Sequence, residues 1–243
     1  MAVPHHLNVM KSYVKTAFFT AIAATASISN AASVSFHSGN GPDFQDSEIY
    51  TKRGSQTGSF DKLNSSDFNP TLSGEKAYIF GTPHNWNQLA WGWMPNGGLS
   101  AGSKAKWVGV DSDGAYGVNS HSALYAISFT VATTAAATLD FTVTADDQLG
   151  DANNEGLFID GKALANTHTE TLWNGKVAKF NSLDLGILTA GTHTLYVNVN
   201  NGGNGPSGVM FEGTVTQAVP EPASMAVIGL GLAGLMKRRR KNA

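Results

Sequence analysis

Between residues 123 and 215 the chain repeats one pattern, short runs in which alternate positions are apolar. Tyr125-Ala-Ile127-Ser-Phe129-Thr-Val131 is one such run, and Leu139-Asp-Phe141-Thr-Val143-Thr-Ala145 is the next. Leu195-Tyr-Val197-Asn-Val199-Asn and Val209-Met-Phe211-Glu-Gly213-Thr-Val215 close the series. A period of two sends successive side chains to opposite faces of a strand, so each run predicts a strand with one face on a core and one in water. Turn chemistry separates the runs at Asp160-Gly161, Asn174-Gly175, Ala190-Gly191 and the Asn200–Gly205 stretch. No part of the body carries a convincing 3.6-residue period. Evenly spaced antiparallel strands predict an all-β fold, a jelly-roll β-sandwich over residues 76–217.

The stretch before it, 32–75, is less decided. Val34 and Phe36 predict a first strand, whereas Gly39 to Gly74 is polar and rich in Ser, Asn, Asp and Gly. A long ordered loop, an edge hairpin and a partly disordered lead are all compatible with that composition. No internal repeat recurs at a fixed period.

Both ends depart from the strand pattern. Lys11 and Lys15 precede the apolar stretch Ala17–Ile28, and Ser29-Asn30-Ala31 follows. This predicts a signal peptide over residues 1–31, helical in its apolar part and cleaved after Ala31. Met10-Lys11-Ser12 is a more ordinary start than Met1, so translation is expected to begin at Met10. At the other end, residues 218–243 read as a proline-flanked acid, a short apolar run and a basic stop. Val219-Pro220-Glu221-Pro222 is held extended by its prolines. Ala223–Met236 would form a helix about 21 Å long at 1.5 Å per residue, short of a hydrocarbon core of about 30 Å. Lys237, Arg238, Arg239, Arg240 and Lys241 then fit a cytoplasmic stop. The other reading of this run, a buried C-terminal helix of a soluble domain, fits poorly with Gly229, Gly231 and Gly234, because glycine is a weak helix former.

This tripartite tail resembles the PEP-CTERM sorting signal of Gram-negative bacteria. The resemblance implies export through the inner membrane, transient anchoring by the C-terminal helix and processing by an exosortase near the Pro-Glu-Pro. It also implies a destination at the cell surface or in the extracellular matrix, in company with exopolysaccharide and biofilm.

Taking away the ends changes the charge. Lys11, Lys15 and the five tail cations are 7 of the 16 basic residues, and Glu221 is one of the 18 acids, so residues 32–219 hold 9 basic and 17 acidic residues, a net of −8. That argues against nucleic acid as a partner, since phosphate binding needs a basic face, and is compatible with divalent cations or neutral sugars. The chain has no cysteine, so an exported protein here forgoes disulfides. A body of this size buries a sufficient core without them.

The acids concentrate in one place. Asp146, Asp147, Asp151, Asn153, Asn154 and Glu155 fall within ten positions between two predicted strands. Calcium takes six to eight oxygen ligands from flexible loops, and this segment supplies such oxygens. Asp151-x-Asn153-x-Glu155-Gly156 echoes the first half of an EF-hand loop, but the twelfth position is Lys162 and no helical pattern flanks it. The alternative is a solvated acidic turn, since Asp and Asn bond their own backbone in turns. If calcium binds, the Asn200–Asn204 loop is expected to complete the site.

The order of Trp107, the Tyr125–Val131 strand, Ala145-Asp146-Asp147, Ile159-Asp160-Gly161 and His193-Thr-Leu195-Tyr-Val197 resembles galactose-binding-like jelly rolls, and more narrowly the protective-antigen-type sandwich of adhesins and glycosidases. That resemblance implies an Asp-Asp pair that binds calcium and, through it, sugar hydroxyls.

Aromatics supply a second lead. Trp86, Trp91, Trp93 and Trp107 lie close together, with His84, Asn85 and Asn87 nearby, and Trp173 stands apart beside Asn174-Gly175. Exposed rings stack on sugars while flanking amides bond hydroxyls. Trp86, Trp91, Trp93, Trp173 and Asn201 are therefore the candidate glycan contacts, against the alternative that the tryptophans are core. Trp107 is expected in the core.

Catalytic signals are few. Gly98-Leu-Ser100-Ala-Gly102 matches a nucleophile elbow by letter, but Met94-Pro95-Asn96-Gly97 before it is no strand. No His-Glu-x-x-His zinc pattern occurs. His37, His84, His121, His168 and His193 are scattered, and Asp111-Ser-Asp113-Gly114 reads as a turn. The expectation is an exported, non-enzymatic protein that binds polysaccharide with calcium assistance. A structural or adhesive matrix protein without a defined ligand and a glycan-active enzyme are the alternatives.

Overall fold

The computed structural model describes residues 31–41, 45–54, 62–80, 99, 102–110, 121–172, 176–202 and 207–218. The signal helix expected over Ala17–Ile28 and the tail helix expected over Ala223–Met236 lie outside the described residues. Ala32–Ala218 forms one compact unit. It contains every described strand and every described core residue.

The fold is all-β. Its strands are β1 (Ser33–His37), β2 (Gln45–Arg53), β3 (Glu75–Ile79), β4 (Val108–Gly109), β5 (Ala123–Val131) and β6 (Ala135–Asp146). They continue with β7 (Gln148–Leu149), β8 (Leu157–Ile159), β9 (Lys162–Ala163), β10 (Ala178–Leu188), β11 (Gly191–Asn200) and β12 (Gly208–Gln217). The order across the sheet is β10-β6-β12-β4-β3-β2-β5-β11-β8-β9, with β1 also on β12 and β7 also on β11. Every described pairing is antiparallel. The sheet curls into a sandwich: β10, β6, β12 and β1 form one half, β2, β5, β11, β8 and β9 the other, and β3 and β4 make the bend.

Alternation explains the core between the halves. Leu139, Phe141, Val143, Phe211 and Val215 point inward from β6 and β12; Tyr125, Ile127, Phe129, Leu195, Val197 and Val199 meet them from β5 and β11. Phe36 stacks on Phe129 across the halves at 5.9 Å, and Phe141 lies 5.4 Å from Phe211. Burying each such side chain contributes roughly 1.5–3 kcal/mol.

Some buried residues are out of phase with the alternation, and the structure supplies the reason. Leu124, Ala126, Phe158 and Tyr196 face away from the central core, yet Leu63, Phe68 and Leu72 cover them. Phe68 sits 4.8 Å from the Phe158 ring and 5.1 Å, edge-on, from Tyr196. The polar 62–74 stretch is therefore an ordered cover over the second half. Its single 3₁₀ turn, Ser65–Asp67, is closed by a capping box in which Asn64 and Asp67 each bond the other's backbone N–H. Likewise Met210 is buried under Phe80, Leu99, Ala105 and Trp107, which places Trp107 in a core as expected.

Turn chemistry follows the sequence where it can be compared. Asp160 and Gly161 join β8 to β9 with φ of 49° and 80°, the paired positive values of a type I′ hairpin turn.

Candidate functional site

β6 belongs to one half of the sandwich and β7 to the other, and the chain crosses between them at Asp146-Asp147. The peptide bond joining these two residues is cis. Asp146 ends β6 opposite Gly208 and is buried. Asp147 donates its N–H to the Asn200 carbonyl at 3.3 Å and accepts from Leu172 N at 2.6 Å through its own carbonyl. Its carboxylate Oδ2 accepts the Gly202 N–H at 2.6 Å. A Cβ at Gly202 would stand 3.1 Å from that oxygen, a tight contact that the Asp147 side chain would have to give way to.

The end of β11 is built around the same point. Asn201 is fully buried and its N–H donates to Ser122 Oγ at 2.9 Å. Ser122 Oγ in turn donates to Asn200 Oδ1 at 3.3 Å. Ser207, immediately before the Gly208 partner of Asp146, buries a hydroxyl that has no hydrogen-bond partner. Among the described residues no lysine, arginine or histidine pairs with Asp147. The loop expected to complete an Asp146–Asp147 site is thus held against Asp147 by a hydrogen bond.

The rest of the acidic segment bonds to its own loops. Asp151 Oδ1 accepts from Asn153 N at 2.6 Å and Asn154 N at 2.9 Å, and the Asn154 side-chain amide donates to both carboxylate oxygens. Asn154 Oδ1 then accepts from Leu63 N at 2.7 Å, fastening the cover segment. Glu155 accepts from Thr167 N at 2.9 Å, His168 N at 3.1 Å and Asn166 N at 3.4 Å. These oxygens pin a turn and a loop to the sheet, while the Asn153 side chain carries no described bond. Among the described residues no three His, Asp or Glu side chains converge as a metal cage.

Trp86, Trp91, Trp93 and Trp173 lie outside the described residues, as do Val219, Pro220, Glu221, Pro222 and the basic stop Lys237–Lys241.

One buried titratable pair carries no signal among the scattered histidines. His193 Nδ1 lies 2.6 Å from Asp160 Oδ2, and Nε2 lies 2.8 Å from the Thr189 carbonyl. Both partners are acceptors when Asp160 is ionised, an arrangement that favours the protonated ring. Burial pushes its pKa down, but the hydrogen bond to Asp160, the Thr189 carbonyl and the Asp160 charge outweigh that and hold it above 6.5. The second Asp160 oxygen accepts from Thr194 N at 2.8 Å. Nearby, burial first and the Asp160 charge second push the Tyr196 phenol up to about 12. This cluster ties the β8–β9 turn to the β10–β11 connection. Its only sequence signal was the Asp160-Gly161 turn.

Residues 218–241 match the PEP-CTERM protein-sorting motif. The motif marks an exported protein that exosortase processes and that is sorted to the cell surface or extracellular space. It covers the tail and is silent on the body. No curated protein matches the chain. The crystal structure of a Podospora anserina GH26-CBM35 β-(1,4)-mannanase is similar over 72% of this chain at 12% identity, with a TM-score of 0.33. The chain spans only 29% of that structure's length. A likeness that distant leaves the fold resting on its own strands and core.

Proposed function

We propose that the sorting tail delivers a non-catalytic module that binds polysaccharide of the envelope or biofilm matrix, and that a calcium ion at Asp146 and Asp147 assists the contact. The observation that carries this reading is the Asp147 carboxylate, next in the chain to Asp146, held by the Gly202 N–H at the crossing between sheet halves. The donor chemistry fits a hard cation. Carboxylates and the unpartnered Ser207 hydroxyl are oxygen donors, and calcium also accepts backbone carbonyls. Bound calcium would supply positive charge and open coordination positions to vicinal sugar hydroxyls. The protein's part is to hold the carboxylates still: the Gly202 N–H orients Asp147, and Leu172 N and the Asn200 carbonyl clamp its backbone. Asp151 and Glu155 support the site as loop staples.

Calorimetric titration of residues 32–218 with calcium chloride tests the reading, beside an Asp146→Ala, Asp147→Ala double variant. Saturable heat in the wild type, lost in the variant, is expected. Calcium at about 100 times its dissociation constant should also stabilise the fold by about 2.7 kcal/mol, read as a rise in Tm. No heat and no Tm change at millimolar calcium would remove calcium from the function. Glycan binding that persists without it would then define a plain lectin. Absence of both would leave a structural matrix protein.

A further inference from the structure

The outer face of β1, β12 and β6 carries an open groove of about 410 Å³. Strand register builds its floor in two rows. Ser35, Thr214 and Asp140 stand side by side across the three strands, and so do His37, Glu212 and Thr142. The rows are two residues apart along each strand, so all six side chains share one face. Asp140 and Glu212 are diagonal neighbours on adjacent strands, about 7–8 Å apart at Cα.

The row between them, Phe36, Gly213 and Phe141, faces the core. A Cβ at Gly213 would come within 2.7 Å of the Phe36 ring. Ser35 and Thr214 bond through their hydroxyls at 2.9 Å, and Asp140 Oδ1 accepts the Ser182 N–H at 2.8 Å. Lys104 stands on the wall, a loop fastened two residues later. Lys106 N donates to the Ser38 carbonyl at 2.9 Å, and Ser38 Oγ donates to the Lys106 carbonyl at 2.7 Å.

We propose that this groove is a second saccharide subsite, one that takes a neutral sugar and needs no cation. Its lining offers two carboxylates, a lysine, an imidazole and several hydroxyls. Carboxylates so placed accept from ligand hydroxyls, and Ser and Thr exchange bonds in either direction. Two acids stand against one lysine, which disfavours an anionic ligand. A metal is not indicated, because no three ligating side chains converge among the described residues. A polyhydroxylated neutral ligand is the class that satisfies this lining, and the volume falls within the usual range for ligand pockets. The proposal rests on the glycan-binding reading of the body but not on calcium.

The test is an NMR titration of ¹⁵N-labelled 32–218 in EDTA. The probes are β-1,4-linked tetrasaccharides of glucose, mannose and galactose, with trigalacturonate as the anionic comparison. Shifts from at least one neutral probe are expected at residues 35–37, 140–142 and 212–214. Glu212→Gln should weaken that binding at least tenfold, and Thr142→Arg, which fills the groove from an outward position, should abolish it. Each variant is compared by its melt, so a variant that fails to fold leaves the other to decide. No shift from any neutral probe, response to trigalacturonate alone, or shifts unmoved by both folded variants would overturn the proposal. Binding that appears only when calcium replaces EDTA would overturn it too, while leaving the Asp146–Asp147 reading intact.

Discussion

Replacing Asp46 should be among the most damaging single changes outside the apolar core. The side chain is 1% exposed and sits at the start of β2. Its Oδ2 accepts from Gly39 N at 2.7 Å and Asn40 N at 3.1 Å, and its Oδ1 from Glu48 N at 2.8 Å and Ile49 N at 2.9 Å. One carboxylate thus holds the β1–β2 connection closed. In Asp46→Ala the donors of Asn40 and Glu48, on exposed residues, can recover water, whereas those of Gly39 and Ile49 are buried. Each stranded donor costs about 1–3 kcal/mol. Release of the carboxylate's own desolvation offsets part of that, giving a net loss of about 3 kcal/mol. For a unit of this size the expected fall in Tm is about 6–12 °C. Urea denaturation of residues 32–218 would show it as a lower midpoint at unchanged slope. Asp46→Asn should do no better, because an amide turns an NH₂ toward two of the four N–H donors. A loss below about 1 kcal/mol for alanine, or wild-type stability for asparagine, would refute the reasoning.

Further outcomes are expected from the same structure. The raised pKa of His193 contributes stability that is fully present below its unfolded value of 6.5 and is lost as pH rises through the folded value; His193→Gln should flatten that slope in denaturation curves taken from pH 5 to 9, and an unchanged slope would assign it to another group. Asp67 shows the opposite sense: burial works against it, but the Lys52 ammonium and the Asn64 N–H hold its pKa below 3.8, so its contribution is present above that value and lost as pH falls through the folded one. Lys52→Met should remove most of that acid sensitivity, which urea midpoints between pH 2 and 5 would report. Gly156→Ala should destabilise by about 1–3 kcal/mol, since a Cβ there would lie 2.3 Å from the Thr167 carbonyl oxygen and 2.8 Å from Leu149 Cβ; a melt at wild-type temperature would show that the β7–β8 segment gives way freely.

The strands that alternate cleanly were readable as such, and β5, β6, β11 and β12 stand where their patterns placed them. β10 was not readable. Its register slips between Phe180 and Leu183 and again between Asp184 and Gly186, and Ser182 and Gly186 take positive φ. Each bulge shifts the parity of the side chains that follow, so the apolar residues lose their period. β2 was hidden for another reason: Gln45–Arg53 is polar by composition, yet it runs in the interior of the sheet between β3 and β5. At the candidate site the acids were legible as a group, but their division was not. Which backbone N–H groups a carboxylate bonds depends on turn geometry: Asp147 takes one from Gly202, far along the chain, Asp151 takes those of Asn153 and Asn154, and Glu155 those of residues 166–168.

By itself the sequence determined the properties that depend on neighbours in the chain. These are the strand period, the Asp160-Gly161 turn, the acidic body and the sorting tail. Each follows from local sterics or from composition, which act before any distant contact forms. Tertiary structure alone decided what comes from far along the chain. It laid the 62–74 stretch over Tyr196, paired His193 with Asp160, carried Gly202 to Asp147 and aligned residues 35–37, 140–142 and 212–214 into one floor. The three-strand floor exists only because the sheet's register is set by burial of its other face, and one residue of slip would turn its side chains inward.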